Sequence, residues 1–155
     1  MTNSVPEFSA HTQCFLITGS NTTEAHPLVA SHVLEARERG AKIIVVDPRE
    51  VQIGRLADLY LRPRPGTDVA WLNGMMHVII GEGLEDRGFI EARTEGYEEF
   101  RQAVMEYIPE RVEEISGISA DDLRAAARMY ATNKPAAILY AMGITQHTTG
   151  TDNVK

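Results

Sequence analysis

Three polar segments of this chain each follow an apolar run, and their residue types suit different parts of a nucleotide. Gly19 and the small polar residues after it form a loop whose backbone N–H groups can hold a phosphate. Asp47 follows a β-branched run, where a carboxylate often accepts hydrogen bonds from ribose hydroxyls, and Arg49 can pair with phosphate. Asp68 offers the acceptor that the N1–H and N2–H₂ donors of guanine require. Together these residues indicate one crevice for an extended nucleotide.

Each of these residues also has a purely structural interpretation, and the residues alone do not decide between the two. The Gly19 loop can be a tight turn, Asp47 an Asp-Pro turn residue and Arg49 a solvated charge. Asp68, with Gly66 before it, can simply cap a helix. The three-glycine dinucleotide fingerprint and the Walker lysine are both absent from the sequence.

The remaining reactive residues indicate no catalytic centre. The five histidines lack the spacing of a metal-binding helix face, and His147 alone follows a predicted strand as a contact candidate. Cys14 lies in an apolar run, which predicts an inert core residue. We therefore assign no catalytic residue and no metal ligand in this chain.

Alternating strands and helices must position these residues. The predicted strands cover 14–18, 42–46, 59–61 and 136–141, and the predicted helices cover 27–39, 69–80, 86–93, 97–108 and 120–132. This alternation predicts an α/β fold of three layers, a mostly parallel sheet flanked by helices, of Rossmann-like type. In such sheets ligands bind at the carboxyl ends of the strands, where the polar segments lie.

Composition excludes several classes of protein. The chain has 155 residues, 43% of them hydrophobic and 24% charged, and a net charge of −7 that argues against nucleic-acid binding. One cysteine excludes an internal disulfide framework. No apolar run reaches the length of a membrane span, and the first residues do not resemble a signal peptide, so a cytoplasmic location is expected.

The same reading divides the chain into three parts. Residues 1–13 are expected to be a loose N-terminal lead-in, and residues 14–147 to form the α/β nucleotide-binding domain. Residues 148–155 read as the start of a further helix, which suggests that the chain is a piece of a longer one.

Several segments occur together in the order and spacing of one known family. They are ITGSNTTEAHP at 17–27, KIIVVDPR at 42–49, GTD at 66–68 and AMGITQ at 141–146, with RTEGY at 93–97 and AARMYA at 126–131. The chain resembles, over almost its whole length, the large (alpha) subunit of molybdenum- or tungsten-dependent formate dehydrogenase, in the dimethyl sulfoxide reductase superfamily. The resemblance implies one domain of a larger enzyme that oxidises formate to carbon dioxide.

The resemblance also implies the ligand and its contacts. In that family the corresponding domain binds one of two molybdopterin guanine dinucleotides. By position, the nucleotide end would be lined by Gly19, Ser20, Asn21 and Glu24, and the ribose and phosphate region by Asp47 and Arg49. The nucleotide would also be contacted by Gly66 and Asp68, with Asp68 recognising guanine. The pterin side would be approached by Met142, Gly143 and Gln146.

Other parts of the family pattern are expected outside this chain. These include the cysteine motif of the iron–sulfur cluster and the cysteine or selenocysteine that ligates the metal, so the isolated chain is expected to be inactive and without bound cofactor. Its expected partners are the other domains of the parent subunit and electron-transfer subunits, and by itself it is expected to self-associate. Three alternatives stay open: another molybdopterin oxidoreductase, an NAD- or nucleotide-binding Rossmann-type domain, and a non-catalytic α/β interaction module.

Overall fold

A computed structural model describes residues 4–154, without the side chain of Phe8. The strands are β1 (Cys14–Thr18), β2 (Lys42–Val46), β3 (Leu59–Leu61) and β4 (Ala136–Tyr140). The helices are α1 (Val5–His11), α2 (Thr22–Ala25), α3 (Pro27–Glu38), α4 (Asp68–Gly81), α5 (Arg87–Arg93), α6 (Tyr97–Met105), α7 (Pro109–Ser116), α8 (Ala120–Thr132), α9 (Met142–Thr145) and α10 (Gly150–Val154), with a 3-10 turn at Gln52–Leu56. None of the described helices has the length and apolar character that crossing a bilayer requires.

The four strands form one parallel sheet in the order β3-β2-β1-β4. Thr18, the last residue of β1, lies opposite Val46 of β2 and Tyr140 of β4, and Val46 lies opposite Leu61 of β3. The strands therefore end level with one another, and the loops after all four emerge at the same edge. This arrangement confirms the predicted α/β fold with a parallel sheet.

Both faces of β1 and β2 are buried, which explains why these central strands are apolar except at Thr18 and Lys42. Phe15 and Ile17 of β1 pack on one side against α3, in a cluster with Val33. Leu16, on the other side, belongs to a cluster with Trp71 of α4 and residues of α7 and α8. The result is the predicted three layers, with helices on each face.

Several helices differ from the sequence expectation, among them α2 and α9, which were not predicted. Residues Val5–His11, in the expected loose lead-in, form α1, which contacts α3 through a hydrogen bond between Ser9 Oγ and His32 Nδ1 of 3.3 Å. The helix expected over 97–108 ends at Met105, and Pro109 begins α7 instead of only ending α6. Proline suits the first turn of a helix because it lacks the N–H that would be unpaired there.

Burial makes Cys14 unreactive, as the sequence predicted. The side chain is fully buried, and burial followed by the nearby charge of Asp58 raises the pKa of its thiol to about 12. Since the thiolate is the reactive form, Cys14 is a core residue at neutral pH.

Asp58 joins the start of β3 to the start of β2 and gives the fold a testable pH dependence. Its carboxylate accepts hydrogen bonds from the Ile43 N–H at 2.9 Å and the Lys42 ammonium at 3.0 Å. Burial raises the pKa of the Asp58 carboxyl, but these hydrogen bonds outweigh it, and the net pKa lies below its usual 3.8. We expect Asp58→Asn to lower the free energy of unfolding by about 1 kcal/mol at pH 7.

The sign of the pH effect follows from the lowered pKa. A carboxylate of this kind stabilises the fold above its unfolded-state pKa, and the contribution disappears as pH falls through the folded-state value. The stability difference between wild type and Asp58→Asn should therefore be complete at pH 7 and shrink below 3.8. Urea unfolding at several pH values measures it, with Asp121→Asn as control because that side chain is 99% exposed. A difference that persists unchanged at pH 2 would contradict the assignment.

Candidate functional site

A groove of about 370 Å³ runs along the carboxyl edge of the sheet, where the loops after all four strands meet. Its lining includes Gly19 and Asn21 after β1, Asp47 and Arg49 after β2, Arg64, Gly66 and Asp68 after β3, and Met142, Gly143 and His147 after β4. Eight of these ten were predicted as contact residues, and His147 was noted as a contact candidate. The polar segments that the sequence singled out therefore do come together in one place.

Two glycines form the point where the loops after β1 and β4 touch. Gly19 has a φ of +55°, which favours glycine, and its carbonyl accepts a hydrogen bond from the Gly143 N–H at 3.0 Å. A Cβ on Gly19 would lie 2.7 Å from the Gly143 carbonyl carbon, and one on Gly143 would lie 2.5 Å from Gly19 Cα. No side chain fits between the two backbones, so both glycines are needed for this close approach.

Asp47 is buried at the end of β2 and organises the loop that follows. Asp47 is 3% exposed, and its carboxylate accepts a hydrogen bond from the backbone N–H of Arg49 at 2.8 Å. The guanidinium of Arg49 is 77% exposed and lies 3.9 Å from the same carboxylate. Asp47 therefore fixes the turn, as its structural interpretation requires, and it also leaves a solvent-accessible cation at the groove.

Asp68 begins α4 and faces the groove. One carboxylate oxygen accepts a hydrogen bond of 3.3 Å from the indole N–H of Trp71, which is fully buried. Thr67, within the 66–68 segment expected to cap the helix, occupies the N-cap position without a side-chain cap hydrogen bond, and Asp68 begins the first turn. A carboxylate in the first turn of a helix is favoured by the helix dipole.

Three residues carried over from the resemblance do not line the groove. Ser20 is 7% exposed and its hydroxyl bonds the Thr22 hydroxyl at 3.0 Å, because the chain turns inward to begin α2. Glu24 lies on α2 with its side chain in solvent, and Gln146 is exposed at the end of α9. These three side chains lie outside the groove lining, and their contacts with the cofactor stay predictions.

Arg64 is a lining residue that the sequence interpretation missed. Its guanidinium donates to the Glu114 carbonyl at 2.7 Å, at the end of α7, while its main chain bonds Ser116. The signal was a basic residue between two prolines directly after β3, which the sequence analysis did not single out. Arg64 ties the groove loop to α7, an element that was itself not predicted.

The strand order changes side at β1: β2 and β3 are added on one side of that strand, and β4 lies on the other. Such a switch point, with a groove across it, defines a ligand-binding α/β domain of the doubly wound class. Residues 3–155 match the sequence profile of the family described as "Molybdopterin oxidoreductase". The chain belongs to the molybdopterin oxidoreductase family.

Individual relatives share this domain over its whole length. The chain is 47% identical over 155 residues to "Formate dehydrogenase H" of Escherichia coli (strain K12) and 48% identical over 155 residues to "F420-dependent formate dehydrogenase 1 subunit alpha" of Methanococcus maripaludis; the matches cover 100% of this chain but 22% and 23% of those proteins. Among solved structures, "Acetylene Hydratase from Pelobacter acetylenicus" matches with a TM-score of 0.82 and 40% identity, over 88% of this chain and 19% of that one. The chain spans less than a quarter of the length of these proteins.

Proposed function

We propose that this chain is a cofactor-binding domain of a molybdopterin-dependent formate dehydrogenase, and that its groove holds the guanine nucleotide end of the cofactor. The observation that carries the proposal is the groove itself, built from the ends of all four strands around the Gly19–Gly143 contact. The formate assignment rests on the similarity to formate dehydrogenases over all of the chain. That the nucleotide base is guanine and that the cofactor carries molybdenum or tungsten are also proposed.

The residues present fit a nucleotide. The groove volume of about 370 Å³ lies within the range of small-molecule sites. The close contact of Gly19 and Gly143 brings the backbones of the loops after β1 and β4 together in the lining of the groove. Arg49 supplies an exposed cation suited to phosphate, and Asp68 a carboxylate suited to the donors of guanine.

The expected roles of the cofactor and of the residues around it follow from this fit. When bound, the molybdopterin group would supply the metal centre at which formate loses two electrons and a proton and becomes carbon dioxide. Asp47 would hold the Arg49 loop in register, Asp68 would orient the base, and Met142 and Gly143 would lie toward the pterin side. An iron–sulfur cluster, electron-transfer subunits and a cytoplasmic location belong to the same proposal for the parent enzyme, and the chain by itself would be inactive.

Other relatives support one alternative above the rest. The "Nitrate reductase" of Symbiobacterium thermophilum is 43% identical over 152 residues, and the hydratase above has the same fold. Because proteins named for different reactions share this domain, we propose that the domain binds the cofactor and that other parts of each protein determine the substrate. Another molybdopterin oxidoreductase is therefore the alternative to formate dehydrogenase, ahead of an NAD-binding domain without its glycine fingerprint.

Calorimetric titration of the 155-residue chain with GDP and with NAD tests the ligand. We expect GDP to bind more tightly than NAD, since Asp68 offers an acceptor to guanine. Saturation-transfer NMR extends the measurement to weak binding, which is expected because other parts of the parent would complete the site. Equal or tighter binding of NAD would contradict the proposal.

We also propose that the isolated chain self-associates through β4. In the described part of the chain β4 is an edge strand, and its Ile138 and Tyr140 are 49% and 51% exposed. Open apolar edges pair with other strands. Light scattering should show dimers or larger species at high concentration, which Ile138→Lys removes and Leu28→Lys, on α3, does not. A monomeric wild type would contradict this.

A further inference from the structure

A second groove lies at the opposite end of α4, where α4 meets α5 and α6. Two adjoining cavities of about 390 and 410 Å³ share Ile80, Glu85, Ile90 and Tyr97 in their linings. Asp68 lines the first groove at the start of α4, and Ile80 lies about 18 Å further along the helix axis. The second groove is therefore separate from the proposed cofactor site.

Glu85 is the unusual residue of this groove. Its side chain is only 8% exposed, and one carboxylate oxygen, Oε1, accepts a hydrogen bond from Arg87 Nε at 3.1 Å. The other oxygen, Oε2, is buried and has no hydrogen-bond partner. A buried carboxylate oxygen without a donor is costly, so its position favours a ligand that brings one.

The lining of the larger cavity indicates the chemical character of the rest of the ligand. Its lining includes the apolar side chains of Met76, Ile79, Ile90 and Phe100, and Phe100 is 42% exposed. Among the described residues that line it, Glu85 and Glu95 are acidic and none is basic. The adjoining smaller cavity carries both signs of charge, with Arg87 and Arg101 beside Glu91 and Glu98. A ligand with an apolar body and a positively charged donor therefore matches the larger cavity and Glu85 together.

We propose that this groove binds a small primary amine in its ammonium form, with an apolar chain or ring as its body. The ammonium donates to Oε2 of Glu85, and the body lies along Ile79, Ile90 and Phe100. An ammonium fits better than a second guanidinium because Arg87 already occupies the Oε1 side. This inference is independent of the proposed cofactor function.

NMR titration of the ¹⁵N-labelled 155-residue chain tests the inference with a matched pair of probes. Phenylbutylammonium and phenylbutanol have the same apolar body, and only the first carries a charge. We expect the amine to shift the amide signals of Glu85, Ile90 and Thr94 and to bind roughly tenfold or more tightly than the alcohol. Equal affinity of the two probes, or no shift at these amides, would overturn the proposal.

Variants test the role of Glu85 against general attraction. Glu85→Gln keeps the shape and removes the charge, and it should weaken amine binding by roughly tenfold or more. Glu106→Gln makes the same charge change at an exposed residue that lines neither cavity, and it should leave the affinity nearly unchanged. Equal losses in both variants would overturn the assignment to Glu85. If Glu85→Gln does not fold, the probe pair on the wild type still decides.

A last arm separates a free amine from a lysine side chain of a polypeptide. The probes are acetyl-Leu-Lys-Phe-amide and the same peptide with norleucine in place of lysine. Binding of phenylbutylammonium, with or without the lysine peptide, supports a small-amine site. Binding of the lysine peptide alone would overturn it in favour of a protein-docking surface.

Discussion

Replacing Gly143 by alanine is expected to destabilise the folded chain by about 2–3 kcal/mol. The effect is opposite to the usual one, because alanine in place of glycine normally stabilises a helix such as α9. The new Cβ would lie 2.5 Å from Gly19 Cα and 2.7 Å from the Gly19 carbonyl oxygen. Both are backbone atoms that cannot rotate away, so the loops after β1 and β4 must move apart.

Urea unfolding measures this change, and Gly81→Ala is its matched control. Gly81 is the last residue of α4, and a Cβ there would meet nothing within 4 Å. Alanine at that position should be neutral or stabilise the chain by up to about 1 kcal/mol. If Gly143→Ala were as stable as Gly81→Ala, the close approach of the two loops would be wrong. Nucleotide binding should also weaken in Gly143→Ala, since the groove is built on that contact.

Replacing Asp68 by asparagine is expected to weaken GDP binding by roughly tenfold or more, because a charge-assisted hydrogen bond to guanine is lost. The side-chain oxygen of asparagine can still accept from the Trp71 indole, which lies 3.3 Å from Asp68 Oδ1 in the wild type. The variant therefore tests recognition with little change in the first turn of α4. Calorimetry gives the affinities.

Inosine diphosphate sharpens the same experiment, since it lacks the exocyclic amino group of guanine. The wild type should prefer GDP to IDP, and Asp68→Asn should lose most of that preference. Asp121→Asn, a change of the same charge on α8 at a 99% exposed side chain, should retain it. A preference that survives in Asp68→Asn would show that another group reads the base.

The sequence predicted the strands well because their burial is simple. Residues 14–18 and 42–46 are apolar at each central position, as strands covered on both faces must be, and they form β1 and β2 within those bounds. The helices between α5 and α8 were harder. Pro109 can end one helix or begin the next, and packing of Val112 against α4 favours the second, which a local pattern does not contain.

The site was predictable in its residue types but not in its contacts. Gly19, Asp47 and Asp68 were found because each follows a strand, and the ends of parallel strands share one edge. The Gly19–Gly143 contact joins the two ends of the described chain, so no local pattern reveals it. Ser20 and Glu24 lie outside the groove lining because side-chain direction in a short turn such as α2 is set by packing.

The order of strands in the sheet also has a consequence for synthesis on the ribosome. β1 lies between β2, which follows it closely in sequence, and β4, which is made roughly 120 residues later. At translation rates of about 5–20 residues per second, one side of β1 waits about 6–24 seconds for its partner. During that interval a strand that is apolar except for Thr18 has a free edge in a nascent chain. The chain therefore reaches its folded state only after an apolar strand edge has been exposed for many seconds, which makes chaperone capture of β1 during translation valuable to this fold.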